Sequence, residues 1–243
     1  SRLSVWSGVA SLLFCVTTAS AQPVPSRDPT STHIFPAGGR RGTTVMVHVG
    51  AECLPPGASL FVLGAGVKVP LTLGTRVTDD GEPSPRRKPT EIPVSYPKQW
   101  RSEIAISGTA PLGTIFWRVG CAQGGTQSRP FVIGELPEFI ESESNSTSDR
   151  AETITLPVTI NGQIHGERDL DYFRFTATKG QVVVCEVLAR RLGSRLDPIV
   201  EILDRDGRPL PVQSVFRGSD PILALRVEQD GEYLIRMANV SFR

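Results

Sequence analysis

The sequence predicts an all-β protein built from two β-sandwich modules in tandem, an immunoglobulin-like module followed by a jelly-roll-like one. Short runs rich in β-branched and aromatic residues recur along the chain, turn signals separate them, and sustained helical periodicity is missing after the N-terminal segment. The 23 glycines and 20 prolines are spread out, as expected for turns between short strands. A chain of 243 residues has room for one large domain or two ordinary domains.

The first 21 residues have the pattern of a secretory signal peptide. Arg2 supplies a positive charge, residues 9–16 form a short apolar run, and Ala19-Ser20-Ala21 offers a small-x-small cleavage site. The apolar run is too short to span a bilayer. We therefore expect an exported protein that is not inserted in a membrane after cleavage. Residues 22–32 are polar and rich in Ser, Thr and Pro, and are predicted to be a disordered leader.

The first module is predicted over residues 33–134. Its candidate strands share short β-branched or alternating runs: 43–49, 59–63, 67–73, 102–107, 113–120 and 129–133. In the fifth of these, Ile115, Trp117 and Val119 share one face, with Phe116 and Arg118 on the other. The Pro-rich excursion at 79–97 is predicted to be a surface insertion, with a basic binding loop as the alternative.

The cysteines of the exported chain are predicted to play two different roles. Export permits disulfides, and Cys53 and Cys121 both lie near strand ends, so we expect them to be bonded to each other. Cys185 lies within an apolar strand and is predicted to be a buried thiol that packs as a small hydrophobic side chain.

An acidic linker is predicted over 135–150, and a second β-sandwich over 151–243. The candidate strands of the second module are 152–160, 172–177, 181–189, 198–203, 222–227 and 232–237. Its turns are marked by Asn161-Gly162, Lys179-Gly180, Asp206-Gly207 and Asp230-Gly231. We expect this module to be truncated, with a closing strand beyond Arg243.

Two acids mark the entry to one strand of the second module. Phe173 and Phe175 point to one side of that strand, and Tyr172 and Arg174 to the other. Asp169 and Asp171 are two residues apart, so in an extended chain their like charges share a face and need neutralising. A bound cation is one possibility, and a salt link to Arg168 or Arg174 is the other.

Catalytic and nucleic-acid functions find no support in the sequence. The net charge is +1, which gives no electrostatic basis for binding nucleic acid. The three histidines, His33, His48 and His165, lie outside any His-Glu-x-x-His run, and a Gly-x-Ser-x-Gly elbow is missing from the sequence. We therefore predict that this chain is not an enzyme.

The second module resembles the bacterial pre-peptidase C-terminal domain. The matching residues are at 156–164, 169–175, 179–181, 189–198, 203–207 and 230–233. The first module is similar to TIG/IPT-type immunoglobulin-like domains, through Phe35-Pro36-Ala37-Gly38-Gly39 leading into Gly42-Thr43-Thr44-Val45. The paired arrangement is similar to large secreted or envelope proteins of planctomycete-type bacteria.

These resemblances imply a non-catalytic accessory domain of exported proteins. Some members of the pre-peptidase family bind calcium through a Glu-x-Glu-Pro-Asn-Asp-type run and the acids of an Asp-x-Asp-Tyr segment. The corresponding candidate ligands in this chain are Glu141, Glu143, Asn145, Asp169 and Asp171. Ser144 and Ser146 replace the proline and the last aspartate, so one charged ligand is lost. Because calcium prefers six to eight oxygens, we expect it to add little stability.

Two functional hypotheses follow. The first is an exported accessory or binding module that engages an extracellular polymer or protein, or positions a partner domain. The alternative is an N-terminal accessory part of a larger secreted peptidase, with adjoining catalytic or repeat domains in the full-length protein. Neither hypothesis requires a resident cofactor other than the candidate calcium ion.

Overall fold

The computed structural model describes residues 28–77, 98–122, 124–142, 144–164 and 169–240. These ranges contain nineteen β-strands and two short 3-10 turns, Ser148–Arg150 and Arg190–Leu192. The all-β prediction is confirmed, since the strands form several mostly antiparallel sheets. Within the described ranges, neither helical turn has the length and apolarity needed to cross a membrane. The predicted signal peptide and the excursion at 79–97 lie outside the described residues.

The strands between residues 30 and 134 form two sheets. They are β1 (Thr30–Phe35), β2 (Gly38–Arg40), β3 (Thr44–Glu52), β4 (Ser59–Leu63), β5 (Val67–Lys68), β6 (Arg76–Val77), β7 (Gln99–Ile106), β8 (Gly113–Cys121), β9 (Gly124–Gly125) and β10 (Arg129–Gly134). Sheet A has the order β1-β3-β7-β5, with β6 also on β7. Sheet B has the order β2-β10-β8-β4, with β9 on β8, and its β2–β10 pair is parallel.

Sheets A and B contribute to one core cluster. Val47 and Ile104 come from sheet A, and Trp117 and Phe131 from sheet B, and all four side chains are fully buried. The Trp117 indole N–H donates to the carbonyl of Pro130 at 3.2 Å, so its polar atom is satisfied. The alternation predicted for β8 is confirmed, because Phe116 and Arg118 are exposed on the opposite face.

The strands between residues 138 and 239 form three sheets. They are β11 (Glu138–Ile140), β12 (Glu152–Thr153), β13 (Thr159–Asn161), β14 (Asp171–Ala177), β15 (Val182–Glu186), β16 (Pro198–Asp204), β17 (Gln213–Arg217), β18 (Asp220–Arg226) and β19 (Gly231–Asn239). Sheet C is the parallel pair β11–β13, sheet D has the order β12-β14-β19-β16, and sheet E has the order β15-β18-β17.

Sheets D and E contribute to a second core cluster. Phe173 and Phe175 point into it from β14, as their alternation predicts. Phe175 stacks on Tyr233 with ring centroids 5.7 Å apart. Phe139 of β11 meets Phe173 edge-to-face at 6.4 Å. The predicted linker at 135–150 therefore holds a strand, a 3-10 turn and an aromatic side chain that packs on this core.

Some strands differ from their predicted extents. β1 begins at Thr30, inside the predicted disordered leader, because it pairs with β3 and because Arg129 Nε donates to the Ser31 carbonyl at 2.9 Å. The strand predicted at 152–160 is divided into β12 and β13, and Pro157 between them has no N–H to donate to a ladder. β17 has no counterpart among the predicted strands.

The predicted disulfide between Cys53 and Cys121 is not formed in the structure. Cys53 follows the end of β3 in sheet A, with a left-handed φ of 57°, and its side chain is exposed. Cys121 ends β8 in sheet B and packs against the first core cluster.

Candidate functional site

The predicted calcium ligands lie in the segment after β11 and at the start of β14. Glu141 directly follows β11, Asn145 lies in the segment before the first 3-10 turn, and Asp171 is the first residue of β14. Asp169 precedes that strand and is half-buried, and Glu143 lies outside the described residues. Glu141, Asn145 and Asp171 are all buried, which is unusual for polar residues at strand ends.

Glu141 is held by the last residue of β13 and by the residues directly after it. Its backbone N–H donates to the Asn161 carbonyl at 3.1 Å, extending the β11–β13 pairing. Its Oε1 accepts a hydrogen bond from the Gln163 backbone N–H at 2.9 Å. A Cβ atom at Gly162 would lie 2.3 Å from Glu141 Oε2, so only glycine permits this close approach. The Asn161-Gly162 pair therefore positions the Glu141 carboxylate.

The backbone of Asn145 is hydrogen-bonded to the start of β14. The Tyr172 N–H donates to the Asn145 carbonyl at 3.0 Å, which brings Asn145 next to Asp171. The Asn145 side chain is fully buried, and neither its Oδ1 nor its Nδ2 has a hydrogen-bond partner among the described residues. An unsatisfied buried amide costs about 1–3 kcal/mol, so the Asn145 side chain is suited to a polar partner.

Glu152 adds a carboxylate that the sequence analysis did not single out. The backbone N–H and the hydroxyl of Ser142 donate to Glu152 Oε1 at 3.0 and 2.6 Å. Glu152 Oε2 is buried and has no hydrogen-bond partner among the described residues. Glu152 is ten residues from Ser142 in a two-residue strand, and no local pattern marks it as a ligand.

These side chains have the chemistry of calcium ligands, but the structure does not gather them into a metal site. Glu141, Asp171 and Glu152 supply carboxylates and Asn145 supplies an amide oxygen, which are the ligand types that calcium prefers. Among the described residues, however, His, Cys, Asp and Glu side chains do not form a group of three close enough to hold a metal ion. A calcium ion here would therefore depend on Asn145 and on water for much of its coordination.

Arg174 does not lie on the face of β14 that carries Asp171. Asp171 is on the buried face with Phe173 and Phe175, and Arg174 alternates to the other side. Its Nη2 donates to the Ser148 carbonyl at 3.1 Å, which anchors the first 3-10 turn. Arg168, the other proposed partner of the two acids, lies outside the described residues.

Other acids of the second module shape turns, as predicted. Asp204 Oδ1 accepts from the backbone N–H groups of Asp206 and Arg208, both at 2.9 Å. Asp230 Oδ1 accepts from the Lys179 backbone N–H at 2.6 Å. These carboxylates therefore have structural roles in the β-turns that connect the strands.

Asp220, which the sequence analysis did not mention, is fully buried at the start of β18. Its carboxylate accepts from the backbone N–H groups of Ala189, Arg190 and Arg191 at 3.2, 2.8 and 3.1 Å, and from Arg191 Nε at 3.1 Å. Burial alone would raise the pKa of this carboxyl, but the backbone and guanidinium donors outweigh burial and lower it. Asp220 thus fixes the second 3-10 turn.

The histidines in the described ranges have structural surroundings. His33 Nδ1 lies 3.0 Å from Thr32 Oγ1, and its Nε2 lies 3.1 Å from Gln99 Nε2. His48 is half-buried within β3, opposite Arg101 of β7. His165 lies outside the described residues.

The outer face of sheet B carries an aromatic patch, defined as Phe61, Leu63, Phe116 and Arg118. Phe61 pairs with Arg118, and Leu63 with Phe116, across β4 and β8. Phe61, Leu63 and Phe116 are 45%, 57% and 48% exposed, so three large apolar side chains meet solvent together. The Arg118 guanidinium lies over the Phe61 ring at 5.9 Å from its centroid, within cation–π range.

Comparisons with known proteins give one weak relative and distant structural neighbours. No family model matches the chain. A probable subtilase-type serine protease of Deinococcus radiodurans is 29% identical over 100 residues, which are 40% of this chain and 14% of that protein. The chain thus spans a small part of that relative's length.

Among solved structures, the mixed-linkage glucan utilization locus protein SGBP-B of Bacteroides ovatus aligns over 90% of this chain and 41% of its own, at 13% identity and a TM-score of 0.31. The titin domains Z1Z2, solved in complex with telethonin, align over 82% of this chain and 81% of theirs, at 11% identity and a TM-score of 0.23. Both likenesses are too distant to carry an argument about function.

Proposed function

We propose that this chain is an exported, non-catalytic accessory module that binds an extracellular polymer through the aromatic patch of sheet B. The observation that carries the proposal is the clustering of Phe61, Leu63 and Phe116 at solvent on one sheet face. Single exposed apolar residues are common on proteins, but a cluster of them marks an interaction surface.

The chemistry of the patch suits an extended polymer chain. The two phenyl rings offer flat apolar faces for the C–H groups of a sugar ring or for a side chain. Arg118 adds hydrogen-bond donors beside Phe61, where a polymer's hydroxyl or carboxyl oxygens could accept. Ring and guanidinium already lie against each other, so little conformational freedom is lost when a ligand covers them.

A pull-down assay with insoluble polymers tests this proposal. Purified protein is mixed with cellulose, chitin, peptidoglycan and fibrillar collagen, and the bound fraction is measured over a range of polymer concentrations. We expect saturable binding to at least one polymer and a loss of about tenfold or more for Phe116→Ser, corresponding to about 1.4 kcal/mol. Val184→Ser, a change of an exposed apolar residue in sheet E, is the control.

Two results would contradict the polymer proposal. One is an absence of saturable binding to all four polymers. The other is binding that Phe61→Ser and Phe116→Ser leave unchanged, since the aromatic patch would then play no part. Binding to collagen alone would identify a protein partner instead of a polysaccharide.

The second candidate function is an accessory segment of a larger secreted peptidase. The subtilase-type relative supports it, although the matched 100 residues are a small part of that protein. Mass spectrometry of the native protein, purified from culture medium with an antibody against this chain, tests the candidate. Peptides from an adjoining subtilase catalytic domain are expected, and a native protein without them would contradict it.

A calcium ion, if bound, would be held by Glu141, Asn145 and Asp171, with Glu152 beside them. Its charge would add to the interactions that the Glu141 and Asp171 carboxylates already make, and it would link the segment after β11 to the start of β14. The fit rests on the buried Asn145 side chain and the buried Glu152 Oε2, which both lack hydrogen-bond partners among the described residues.

A further inference from the structure

A separate cavity of about 540 Å³ lies between the edge strand β2, the start of β3 and the strands β11 and β13. Its volume is typical of a ligand-binding cleft. Its walls come from distant parts of the sequence: residues 36–46 form one, and residues 137–161 the other. Its lining residues include none of the aromatic patch and none of the candidate calcium ligands.

Both walls of the cleft present apolar side chains to solvent. Met46 is 60% exposed on one wall and Ile140 is 53% exposed on the other. Pro36 and Pro137 line the same space and stiffen the backbone on each side. A ligand that entered the cleft would cover both exposed side chains at once, and burial of their apolar surface would favour its binding.

Among the described residues, no strand pairs with the edge of β11 that faces away from β13, which we call its free edge. The Thr159 N–H donates to the Pro137 carbonyl and the Glu141 N–H to the Asn161 carbonyl, so Pro137 and Glu141 direct their backbone groups to β13. Because alternate residues of a parallel strand bond to the same neighbour, the backbone groups of Glu138 and Ile140 point away from β13. Within the described ranges, β13 is the single strand paired with β11.

A carboxylate lies beside the apolar walls. Glu138 lines the cleft, and its Oε2 accepts from the Asn161 amide at 2.5 Å. Burial raises the pKa of Glu138, with the Asn161 hydrogen bond acting in the opposite direction, so the charged form is poorly solvated here. A basic group on a ligand would stabilise that charge.

We propose that this cleft binds an extended peptide segment of a partner polypeptide, which pairs with the free edge of β11 through its backbone. An apolar side chain of the peptide lies between Met46 and Ile140, and a basic side chain meets Glu138. Unpaired strand edges bind peptides in this way, with the backbone supplying affinity and alternate side chains supplying specificity. The site goes beyond the proposed polymer binding and does not depend on it.

Selection from a random nonapeptide phage library on the immobilised protein tests the inference. We expect enriched peptides that alternate apolar residues with at least one Lys or Arg and that contain no proline. Fluorescence anisotropy then measures the Kd of labelled enriched peptides. We expect Met46→Ser and Ile140→Ser to raise Kd at least tenfold, and Glu138→Gln to weaken peptides with Lys or Arg more than their Gln-substituted versions.

Two controls separate the cleft from the rest of the surface. Val184→Ser changes an equally exposed apolar side chain in sheet E and should leave Kd unchanged. Ile140→Pro removes an N–H that β13 does not use, so the protein should fold while peptide binding is lost. Ile140→Thr keeps this N–H and should therefore bind peptide better than Ile140→Pro. Hydrogen exchange on the unaltered protein should show slower exchange at the Ile140 amide when peptide is present.

Several results would overturn the inference. They are a library that enriches no peptides, enriched peptides whose Kd is unaffected by Met46→Ser and Ile140→Ser, and an Ile140 amide whose exchange rate is unchanged by saturating peptide. We expect Ile140→Ser to leave polymer binding in the pull-down assay unchanged, whether or not the cleft binds peptide. Failure of the peptide site and failure of the polymer proposal are therefore distinguishable.

Discussion

Replacing Asp220 should destabilise the second core more than any other single carboxylate removal among the described residues. The fully buried Asp220 carboxylate accepts from three consecutive backbone N–H groups and from the Arg191 side chain. Asp220→Ala leaves these donors without their acceptor at a site that water reaches poorly. Breaking a buried charged pair by removing one partner costs about 3–5 kcal/mol. Asp220→Asn, which keeps one acceptor oxygen and the shape, should cost about half as much, roughly 2 kcal/mol.

The assay must report on the correct half of the chain. Of the three tryptophans, Trp100 and Trp117 lie in the sheets before residue 134 and Trp6 lies outside the described residues, so tryptophan fluorescence would miss the effect. Urea unfolding followed by far-ultraviolet circular dichroism, with hydrogen exchange of residues 189–193, reports on it directly. Asp206→Ala is the matched control, because its ion pairs with Arg205 and Arg208 are exposed and should contribute less than about 1 kcal/mol.

The effect of Asp220 should also depend on pH. Its pKa is lowered from 3.8 in the folded protein, so the unfolded chain binds a proton more readily than the folded one. The stability that the carboxylate contributes is therefore fully present above the unfolded pKa and is lost as the pH falls through the lower folded value. The difference between the unaltered protein and Asp220→Asn should shrink below about pH 4. An Asp220→Ala variant no less stable than Asp206→Ala, or a difference that stays constant to pH 2, would refute this reasoning.

Three further predictions concern the core, the thiols and calcium. Phe175→Ala should cost about 3–5 kcal/mol in urea unfolding, since it removes a buried ring stacked on Tyr233, whereas Phe116→Ala on the surface should cost less than about 1 kcal/mol. Maleimide at pH 7 should label Cys53 in the native protein and leave Cys185 unlabelled until unfolding, because burial raises the pKa of Cys185 to about 11; mass spectrometry that finds the reverse order would contradict this. Calcium at 5 mM should add about 1 kcal/mol if its Kd is near 1 mM, and a melting temperature raised by more than about 10 °C, with the rise abolished by Asp171→Ala, would contradict that weak site.

The strands that sequence patterns predicted well are those with one buried face. β4 matches the predicted 59–63, and β14, β16 and β18 lie within two residues of their predicted bounds. In these strands, apolar residues at every second position mark the buried face. β17 has five exposed residues in succession, so it carries no alternation to detect. The residues of β11 were predicted to be linker because Glu138 and the neighbouring acids make the segment polar. Its single aromatic side chain that packs on the core, Phe139, is too little to indicate a strand.

Only the candidate-site residues that belong to short sequence motifs could be predicted from the sequence. The resemblance placed Glu141, Asn145 and Asp171 together, and the structure buries all three. Glu152 and Asp220 were missed because their roles rest on backbone groups and side chains 10 to 31 residues away. Hydrogen bonds between residues this far apart in the chain leave no short motif in the sequence. The disulfide prediction failed for a related reason, since Cys spacing does not show which way each side chain points.

The serines of the segment after β11 give the nearby Glu152 carboxylate hydrogen-bond donors that do not depend on a cation. Ser142 donates both its N–H and its hydroxyl to Glu152, and the Ser142 and Ser144 hydroxyls lie 2.9 Å apart. Hydrogen bonds to a carboxylate favour its charged form without a metal. Ser144 stands where proline is expected, and proline could not supply this hydroxyl. The Asn145 amide in the same segment has no hydrogen-bond partner among the described residues, so it remains the group best suited to a weakly held ion.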